Sequence, residues 1–378
     1  MPAEWHRHSA TWLTWPKDPE TWPDRVPQVE EIFLQMMRAL APHEIVNLLV
    51  DDEEAGQSVR RRCAFPGAEN IRCHQIPTVD SWIRDYGPNF IVSDKLQFVA
   101  DSGKEPPAES DDKLKFVGPQ LEQRLAYNDW IFNAWGNKYE ELKQDDSIPA
   151  RLESLLNLQR FEPGIVMEGG SIEVNGAGCV LTTEQCLLNP NRNPDLSKGG
   201  IEQHLKDYLG VEKVLWLCEG IVGDDTDGHI DDIARFVAPD LIVCTVEEDP
   251  EDANYKLLQD NLRRLRTMTD VKNRPFEIVT LPMPGVVGGT RPGSPTGQPR
   301  WGGSTDNRNL DRLPASYANF YIANNVVLVP IFGHSNDRLA LDIIQRVFPD
   351  RRAVGINCEP LVWGMGTIHC VTQQQPKP

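Results

Sequence analysis

A cysteine that follows two glycines near the C-terminus is the first residue of this sequence that could do chemistry. Residues Gly364–Thr372 read Gly-Met-Gly-Thr-Ile-His-Cys-Val-Thr, so the backbone can make a tight approach just before Cys370. A thiolate is a strong nucleophile, but a lone cysteine means little without partners. The groups that would give it a function are an acid/base residue and residues that bind a substrate.

Such partners occur upstream, each beside a glycine and at the end of a predicted strand. Asp85 lies in the run Trp-Ile-Arg-Asp-Tyr-Gly-Pro, Glu168 precedes two glycines, and His229 and Asp231 follow Gly228. A thiol, a histidine and several carboxylates together suit nucleophilic attack on a carbon inside a cationic group, because carboxylates bind such a cation.

His229 and Asp231 stand two residues apart, which on a strand would place both side chains on one face. Alone, such a pair more often forms only a surface hydrogen bond. The neighbouring Asp224, Asp225 and Asp227 also raise calcium binding or simple solvation as alternatives. An imidazole is a poor ligand for calcium, and zinc would need more histidines or cysteines at ligand spacing. The sequence therefore predicts no metal site.

The other two carboxylates have structural alternatives as well. Arg84 could form an ion pair with Asp85, and Glu168 could cap the N–H groups of the glycine turn that follows it. Each signal is weak by itself. The combination of three carboxylates, one histidine and one cysteine in turn-rich segments is what favours a shared site.

The segments between these motifs alternate between strand and helix patterns, which favours an α/β fold. Short apolar runs predict strands at Ile45–Val50, Phe90–Val92, Cys179–Thr182, Ala234–Val237, Leu241–Thr245, Phe276–Thr280 and Asn325–Pro330. Helical spacing predicts helices at Pro27–Leu40, Ile148–Leu158, Ile201–Leu209, Asn254–Met268 and Arg338–Val347. Two polar, proline-containing stretches near 102–123 and 284–309 are predicted to be inserted loops in a single domain over 1–378.

Composition narrows the class of protein. The 378 residues are 40% hydrophobic and 25% charged, with a formal net charge of −18, which argues against a nucleic-acid partner. No apolar run reaches the ~20 residues that cross a bilayer, and the N-terminus lacks a signal peptide's pattern. The eight cysteines include no Cys-x-x-Cys pair, which predicts a reduced, cytoplasmic protein.

Four motifs, taken in order, closely resemble the agmatine deiminase family. They are Trp82–Pro88, Glu168–Gly170, Asp227–Asp231 and Gly364–Cys370. This family lies within the guanidino-group-modifying superfamily and is related to the bacterial-type peptidylarginine deiminases. The resemblance extends over nearly the whole chain, since residues 1–16, 132–136 and 313–320 look like family segments too.

The resemblance implies a fold and a set of roles. The fold would be α/β and pentein-type, with five αββαβ units around a pseudo-fivefold axis and a central active site. Cys370 matches the nucleophile and His229 the general acid/base. Asp85, Glu168 and Asp231 match the carboxylates that bind the guanidinium.

Trp82 matches a tryptophan that lines the same pocket.

The sequence departs from the family in two ways. Many members have Gly-Gly-Gly-Asn-Ile-His-Cys where this chain has Gly-Met-Gly-Thr-Ile-His-Cys, and both predicted loops are longer than is typical. These differences leave the reaction type better supported than the substrate.

The resemblance implies cysteine-dependent hydrolysis of agmatine to N-carbamoylputrescine and ammonia, through an S-alkylthiouronium and without a metal or organic cofactor. A peptidylarginine substrate is the main alternative, against which the missing secretion signal argues. An amidinotransferase and a non-catalytic guanidine- or polyamine-binding protein are further alternatives. The expected partner is a small cationic guanidino compound, with neither nucleic acid nor membrane. A homo-oligomer stays open by analogy.

The same motifs predict a preference for agmatine over arginine, because an arginine carboxylate would need a cationic partner. Arg84 is the only arginine or lysine within the four motifs, and it either points away from the pocket or pairs with an acid. Arg291, Arg300 and Arg308, in the predicted second loop, could supply the missing charge at the mouth of the pocket.

Overall fold

The computed structural model describes residues 1–93, 124–288 and 312–378. In these residues the strands form five small sheets, four of three strands and one of four. The strands are β1 His8–Thr14, β2 Ile45–Val50, β3 Ile71–Gln75, β4 Asn89–Ser93, β5 Arg124–Asn128, β6 Gln159–Phe161, β7 Glu173–Val174, β8 Cys179–Thr183, β9 Lys213–Leu217, β10 Ala234–Ala238, β11 Leu241–Val246, β12 Glu277–Pro282, β13 Tyr321–Ile322, β14 Val326–Ile331, β15 Arg352–Asn357 and β16 Gln373–Pro376.

Helices connect and flank these sheets. They are α1 Val26–Leu40, α2 Glu53–Arg62, α3 Ile83–Tyr86, α4 Ala134–Asn137, α5 Ile148–Leu156, α6 Glu184–Leu187, α7 Lys198–Leu209, α8 Tyr255–Leu265, α9 Asp337–Val347 and α10 Glu359–Val362. The longest, α1, has Pro27 in its first turn, where the missing N–H costs nothing, and buries an apolar face that includes Phe33 and Met37. None of the helices in the described part of the chain is long and apolar enough to span a membrane.

Four sheets repeat one topology. In β4–β5–β6, β7–β8–β9, β10–β11–β12 and β13–β14–β15 the first two strands are antiparallel, and the third returns through at least one helix to lie parallel to the second. The middle strands β8 and β14 are almost wholly buried. This repeat confirms the α/β, pentein-type fold that the resemblance implies.

The fifth sheet is built from both ends of the chain. The C-terminal strand β16 lies antiparallel to β1, with Trp12 opposite Gln373, and β2 returns through α1 to lie parallel to β1. Strand β3 adds a further parallel strand after α2. Pairing the last strand with the first closes the fivefold ring.

A short turn before the first strand of each sheet supplies one residue to the centre. These turns precede β4, β7, β10, β13 and β16, which are the five equivalent positions of the repeat. The residues are Asp85, Glu168, Asp231, Asn319 and Cys370.

Most of the predicted elements agree with the structure within a few residues. The prediction of Ile45–Val50 matches β2, and that of Arg338–Val347 matches α9 to one residue. Helix α2 was missed because its ten residues contain few apolar side chains. Of the predicted loops, 102–123 lies outside the described residues and 284–309 is described only up to 288. The single-domain organisation stays a prediction.

Candidate active site

The cysteine predicted as nucleophile lies at the bottom of a cavity. Cys370 is buried, with 8% of its surface exposed. A Cβ atom added to Gly366 would lie 2.7 Å from Cζ3 of Trp82 and 3.1 Å from Sγ of Cys370. Gly366, four residues before the cysteine, therefore allows the backbone to lie close to Trp82 and Cys370, as its place in the sequence predicts.

The cavity encloses about 300 Å³ of empty space, some of it open to solvent. Two tryptophans form its walls, and the thiol and two carboxylates contribute its polar groups. Its lining residues are Trp82, Asp85, Trp135, Asp225, Thr226, Gly364, Met365, Gly366 and Cys370.

Asn319, to which the sequence analysis gives no role, fixes the segment that carries the thiol. Its side-chain Nδ2 lies 3.2 Å from Cys370 Sγ and is placed to donate to it. Its Oδ1 accepts from the Thr367 hydroxyl at 2.7 Å and from the backbone N–H of His369 at 3.0 Å. Asn319 therefore positions the cysteine and offers it a hydrogen-bond donor.

The electrostatic surroundings of Cys370 oppose its ionisation. Burial raises the pKa of the thiol well above its ordinary value, and the carboxylates of Asp231, Asp232 and Asp85 raise it further. A hydrogen bond from the Thr367 backbone acts in the opposite direction and is outweighed. Burial and the three carboxylates both favour the neutral thiol of Cys370 over the thiolate.

His229 lies beside the Asp85 carboxylate. Its Nδ1 is 3.7 Å from Asp85 Oδ1, and both side chains are buried. A Cβ atom on Gly170 would meet these same two atoms at 2.6 and 2.8 Å, so glycine is required here. Burial lowers the pKa of His229, but the neighbouring Asp85, Cys186 and Asp231 together outweigh burial, and the pKa is raised well above 6.5.

Asp85 is oriented by two neutral donors. Trp135 Nε1 donates to its Oδ2 at 2.9 Å and the Gly170 backbone N–H donates to its Oδ1 at 3.0 Å. Burial raises the pKa of this carboxyl to about 6, although the charge of His229 lowers it in part. Arg84, its expected ion-pair partner, instead reaches Glu4 at 3.3 Å and points away from the pocket.

Glu168 is fully buried and is held by a cation. Arg192 Nε donates to its Oε1 at 2.8 Å, while Arg192 also bonds to Asp227. Ligand atoms of Glu168, Cys186 and His229 lie within 4.8 Å of one another, a cluster that the sequence spacing does not reveal. Arg192 already offsets the charge of Glu168, and burial raises the pKa of the Cys186 thiol, so this cluster lacks the anionic ligands that a divalent metal ion needs.

His229 and Asp231 do not lie on a strand, the conformation in which their spacing would place both side chains on one face. The residues Ile230–Asp232 form a 3-10 turn, because Gly228 takes a left-handed backbone with φ of 87° and the Asp224 carboxylate accepts from the N–H of His229 at 3.0 Å. The turn still brings both side chains into the site. Burial raises the pKa of Asp231, but its bond to His369 outweighs this, so its pKa is lowered.

Three side chains of the site each keep one buried polar atom without a hydrogen-bond partner among the described residues. These atoms are Glu168 Oε2, His229 Nε2 and Asp231 Oδ1. Buried polar groups are nearly always paired, so unpaired ones indicate a place that a ligand fills. Two carboxylate oxygens and an imidazole nitrogen suit a planar cation with several N–H donors.

A buried thiol, a histidine and carboxylates at the centre of five repeated sheets define the guanidino-group-modifying class of this fold. The sequence model of the Porphyromonas-type peptidyl-arginine deiminases matches residues 1–376. The chain is 36% identical over 381 residues to a Legionella pneumophila protein described as a "putative agmatine deiminase", covering 100% of this chain and 94% of that one. The chain therefore belongs to the agmatine deiminase family.

Two solved structures extend this comparison. The agmatine deiminase of Enterococcus faecalis, described as catalysing its reaction, superposes with a TM-score of 0.84 at 36% identity, covering 100% of this chain and 95% of that one. A cysteine-to-serine variant of C. jejuni agmatine deiminase with substrate bound gives a TM-score of 0.78 at 26% identity, covering 100% and 96%.

The structure brings all six predicted site residues into one region, while their roles stay predictions. Trp82, Asp85 and Cys370 line the cavity. Glu168, His229 and Asp231 are buried around it. Four further residues of the site were not predicted, which are Asn319, Trp135, Arg192 and His369. Three of them lie within segments already recognised as family-like, and Arg192 lies in the segment Asn189-Pro190-Asn191-Arg192, which gave no signal.

Proposed function

We propose that this protein hydrolyses agmatine to N-carbamoylputrescine and ammonia through a covalent intermediate on Cys370. The observation that carries this proposal is the set of unpaired buried atoms on Glu168, His229 and Asp231 beside a thiol. A guanidinium is planar and carries N–H donors that carboxylates accept in pairs. Its binding would satisfy these atoms and present its central carbon to sulfur.

The reaction would begin when the bound cation lowers the pKa of the thiol, and the thiol proton passes to solvent. The thiolate of Cys370 attacks the guanidinium carbon, and a tetrahedral adduct forms. The imidazolium of His229 protonates one terminal nitrogen, the C–N bond breaks, and ammonia leaves. The product of this half-reaction is an S-alkylthiouronium, and His229 is now neutral.

Water completes the cycle. Neutral His229 takes a proton from water as the oxygen attacks the thiouronium carbon, the C–S bond breaks, and the thiolate leaves. The remaining proton on that oxygen passes to solvent, which gives the ureido product, and His229 is again an imidazolium. Asp85, Glu168 and Asp231 hold the substrate in line throughout, which is needed because charge delocalisation makes the guanidinium carbon a poor electrophile.

The charges around the cavity support agmatine over arginine. Neither lysine nor arginine occurs among the described residues that line it, while Asp225 does. Lys138 lies behind this wall, where it bonds to Asp225 and Asp227. An ammonium at the far end of the substrate would meet a carboxylate, whereas the carboxylate of arginine would meet repulsion. The family description favours peptidylarginine as the second candidate.

We place the reaction in the cytoplasm. All eight cysteines are free, and a chain with eight free thiols suits a reducing compartment. A catalytic thiol also needs to stay reduced to react.

The experiment is a colour assay for ureido products with agmatine as substrate. The wild type is expected to form N-carbamoylputrescine and equimolar ammonia, and Cys370→Ala none, while circular dichroism stays unchanged. Cys73→Ser, a half-buried cysteine of β3 away from the site, is the matched control and should retain activity. Activity in Cys370→Ala would reject the covalent mechanism, and a wild type without product from agmatine would reject the substrate.

A further inference from the structure

His369, the residue before the cysteine, is held between two carboxylates. Its Nδ1 lies 2.7 Å from Asp231 Oδ2, and its Nε2 lies 2.8 Å from Glu4 Oε2. Only 1% of the imidazole surface is exposed, so water does not compete for either contact. The mechanism above uses neither His369 nor Glu4.

The geometry determines the protonation of this ring. Ionised carboxylate oxygens only accept hydrogen bonds, so both ring nitrogens must carry a proton. Glu4 is kept ionised because Arg235 reaches its Oε1 at 2.9 Å and Arg84 reaches its Oε2 at 3.3 Å. His369 is therefore an imidazolium, with one proton toward each acid.

In this arrangement the two carboxylate oxygens of Asp231 have different hydrogen-bond partners. Its Oδ2 is bound by His369, and its Oδ1 keeps no hydrogen-bond partner in the described part of the chain. The ring thus fixes the carboxylate plane and leaves one oxygen free to accept from a ligand. Because His369 binds Oδ2, it also favours the charged form of the Asp231 carboxylate.

Several other charged or titratable groups face this pair. Asp231 also interacts with His229, Arg235, Asp85, Asp232 and Cys370. His369 also interacts with Glu173, which Arg235 bonds at 2.8 Å. His369 is a nitrogen donor in contact with Asp231. Its substitution leaves both arginines beside Glu4 in place.

We propose that His369 is a positioning residue, an imidazolium clamped by Glu4 of the N-terminal segment that orients Asp231 for the guanidinium. This role rests on the proposed function, since it concerns the binding of the same substrate. It links the N-terminal segment, through Glu4, to a site near the C-terminus. The role also explains why a histidine precedes the nucleophile. A side chain with a single hydrogen-bond donor could bind Asp231 or Glu4, but not both.

Two amide variants separate the two hydrogen bonds. The amide nitrogen of asparagine lies near the place of Nδ1, so His369→Asn retains a donor toward Asp231. The longer His369→Gln places its donor near Nε2, toward Glu4, and releases Asp231. Both variants remove the charge, and a merely structural role would not rank them in this order.

Substrate binding is measured by calorimetry with agmatine in a Cys370→Ser background, which removes turnover. His369→Gln is expected to weaken agmatine binding roughly 10- to 100-fold, because it loses a hydrogen bond to a charged group. His369→Asn is expected to weaken agmatine binding by a smaller factor. In the active background His369→Gln should make the acid limb of kcat/KM steeper, because Asp231 loses its cation and its protonation adds to that of Asp85. His74→Gln, a partly buried histidine that bonds to Asn47, is the control and should change neither.

A second measurement needs no substitution at His369. In wild-type protein labelled with ¹⁵N-histidine, both ring nitrogens of His369 should show the shifts of protonated nitrogens at the pH of the binding measurements. A neutral tautomer at that pH, or unchanged agmatine binding in folded His369→Gln, would overturn the proposal. Failure of the Cys370→Ser parent to bind agmatine would instead reject the proposed substrate, and the nitrogen shifts would still decide the state of His369.

Discussion

Cys370 Sγ lies 3.9 Å from Asp231 Oδ2, and both side chains are buried. A carboxylate at this distance disfavours a thiolate, because two negative charges would face each other in a medium that screens them poorly. The same carboxylate would favour a cation bound at its other oxygen, Oδ1, beside the sulfur. Binding of a guanidinium and ionisation of the nucleophile are therefore coupled in this site.

The first prediction concerns the reactivity of this thiol. At pH 7.5 Cys370 should react slowly with neutral iodoacetamide and at least about tenfold faster with cationic 2-chloroacetamidine, since about one pKa unit changes the thiolate fraction tenfold. Peptide mass spectrometry measures both rates. Cys73 in the same sample is the internal control and should show no such preference. Equal rates of both reagents at Cys370 would contradict the coupling.

Asn319 should matter for rate more than for folding. Asn319→Asp keeps an oxygen for Thr367 and the His369 backbone, but it replaces the donor to sulfur by a negative charge. We expect kcat for agmatine to fall roughly 10- to 100-fold, because the thiolate is then harder to form. Asn324→Asp, in a partly buried contact with the backbone of His8, is the matched control. A kcat equal to that of the control would exclude the hydrogen bond as a factor.

His229→Ala should stop both halves of the reaction. Proton transfer to the leaving nitrogen and from water are each worth roughly 10²- to 10⁴-fold, so kcat should fall by at least the smaller factor. Mass spectrometry of the quenched variant is expected to find substrate-derived mass on Cys370. His204→Ala, a partly buried histidine in α7, is the comparison. Near-normal turnover of His229→Ala over a range of pH would refute the assignment.

The pH dependence of kcat/KM should report the protonation of Asp85. Burial raises the pKa of this carboxyl to about 6, above its ordinary value, so it becomes protonated as pH falls through 6 and loses its charge for the guanidinium. We expect kcat/KM for agmatine to decline below about pH 6 and to be constant from there toward neutral pH. The limb for kcat should lie lower, because the bound cation favours the charged carboxylate.

Asp85→Asn tests this interpretation. The variant should have low kcat/KM at every pH and should lack the limb near pH 6. Asp129→Asn, a partly buried aspartate paired with Arg160 away from the site, should keep the limb. Retention of the limb in Asp85→Asn would assign it to another group.

Substrate preference is the last prediction. We expect kcat/KM for agmatine to exceed that for arginine by about 10² or more, which corresponds to about 2.7 kcal/mol of transition-state discrimination. The reason is the acidic lining of the cavity, with Asp225 as one of its members. Steady-state kinetics on both substrates measures the ratio. Comparable values would reject the agmatine assignment and leave the deiminase chemistry standing.

The sequence by itself determined the elements that local spacing controls and the types of residue in the site. Apolar runs predicted β2, and helical periodicity predicted α9, because each depends on neighbours only a few residues away. Motifs beside glycine indicated Asp85, Glu168 and Cys370 for the same reason, since a turn is a local property.

Tertiary structure alone decided which of these residues meet and what else joins them. Asn319 lies 51 positions from Cys370 and His369 lies 365 positions from Glu4, yet each pair is in hydrogen-bond contact. Local periodicity carries no information over such separations. The contacts exist because five equivalent turns converge on one axis and β16 pairs with β1 to close the ring. The same closure buries the carboxylates, and burial, which no pattern of letters displays, determines the pKa values on which the chemistry depends.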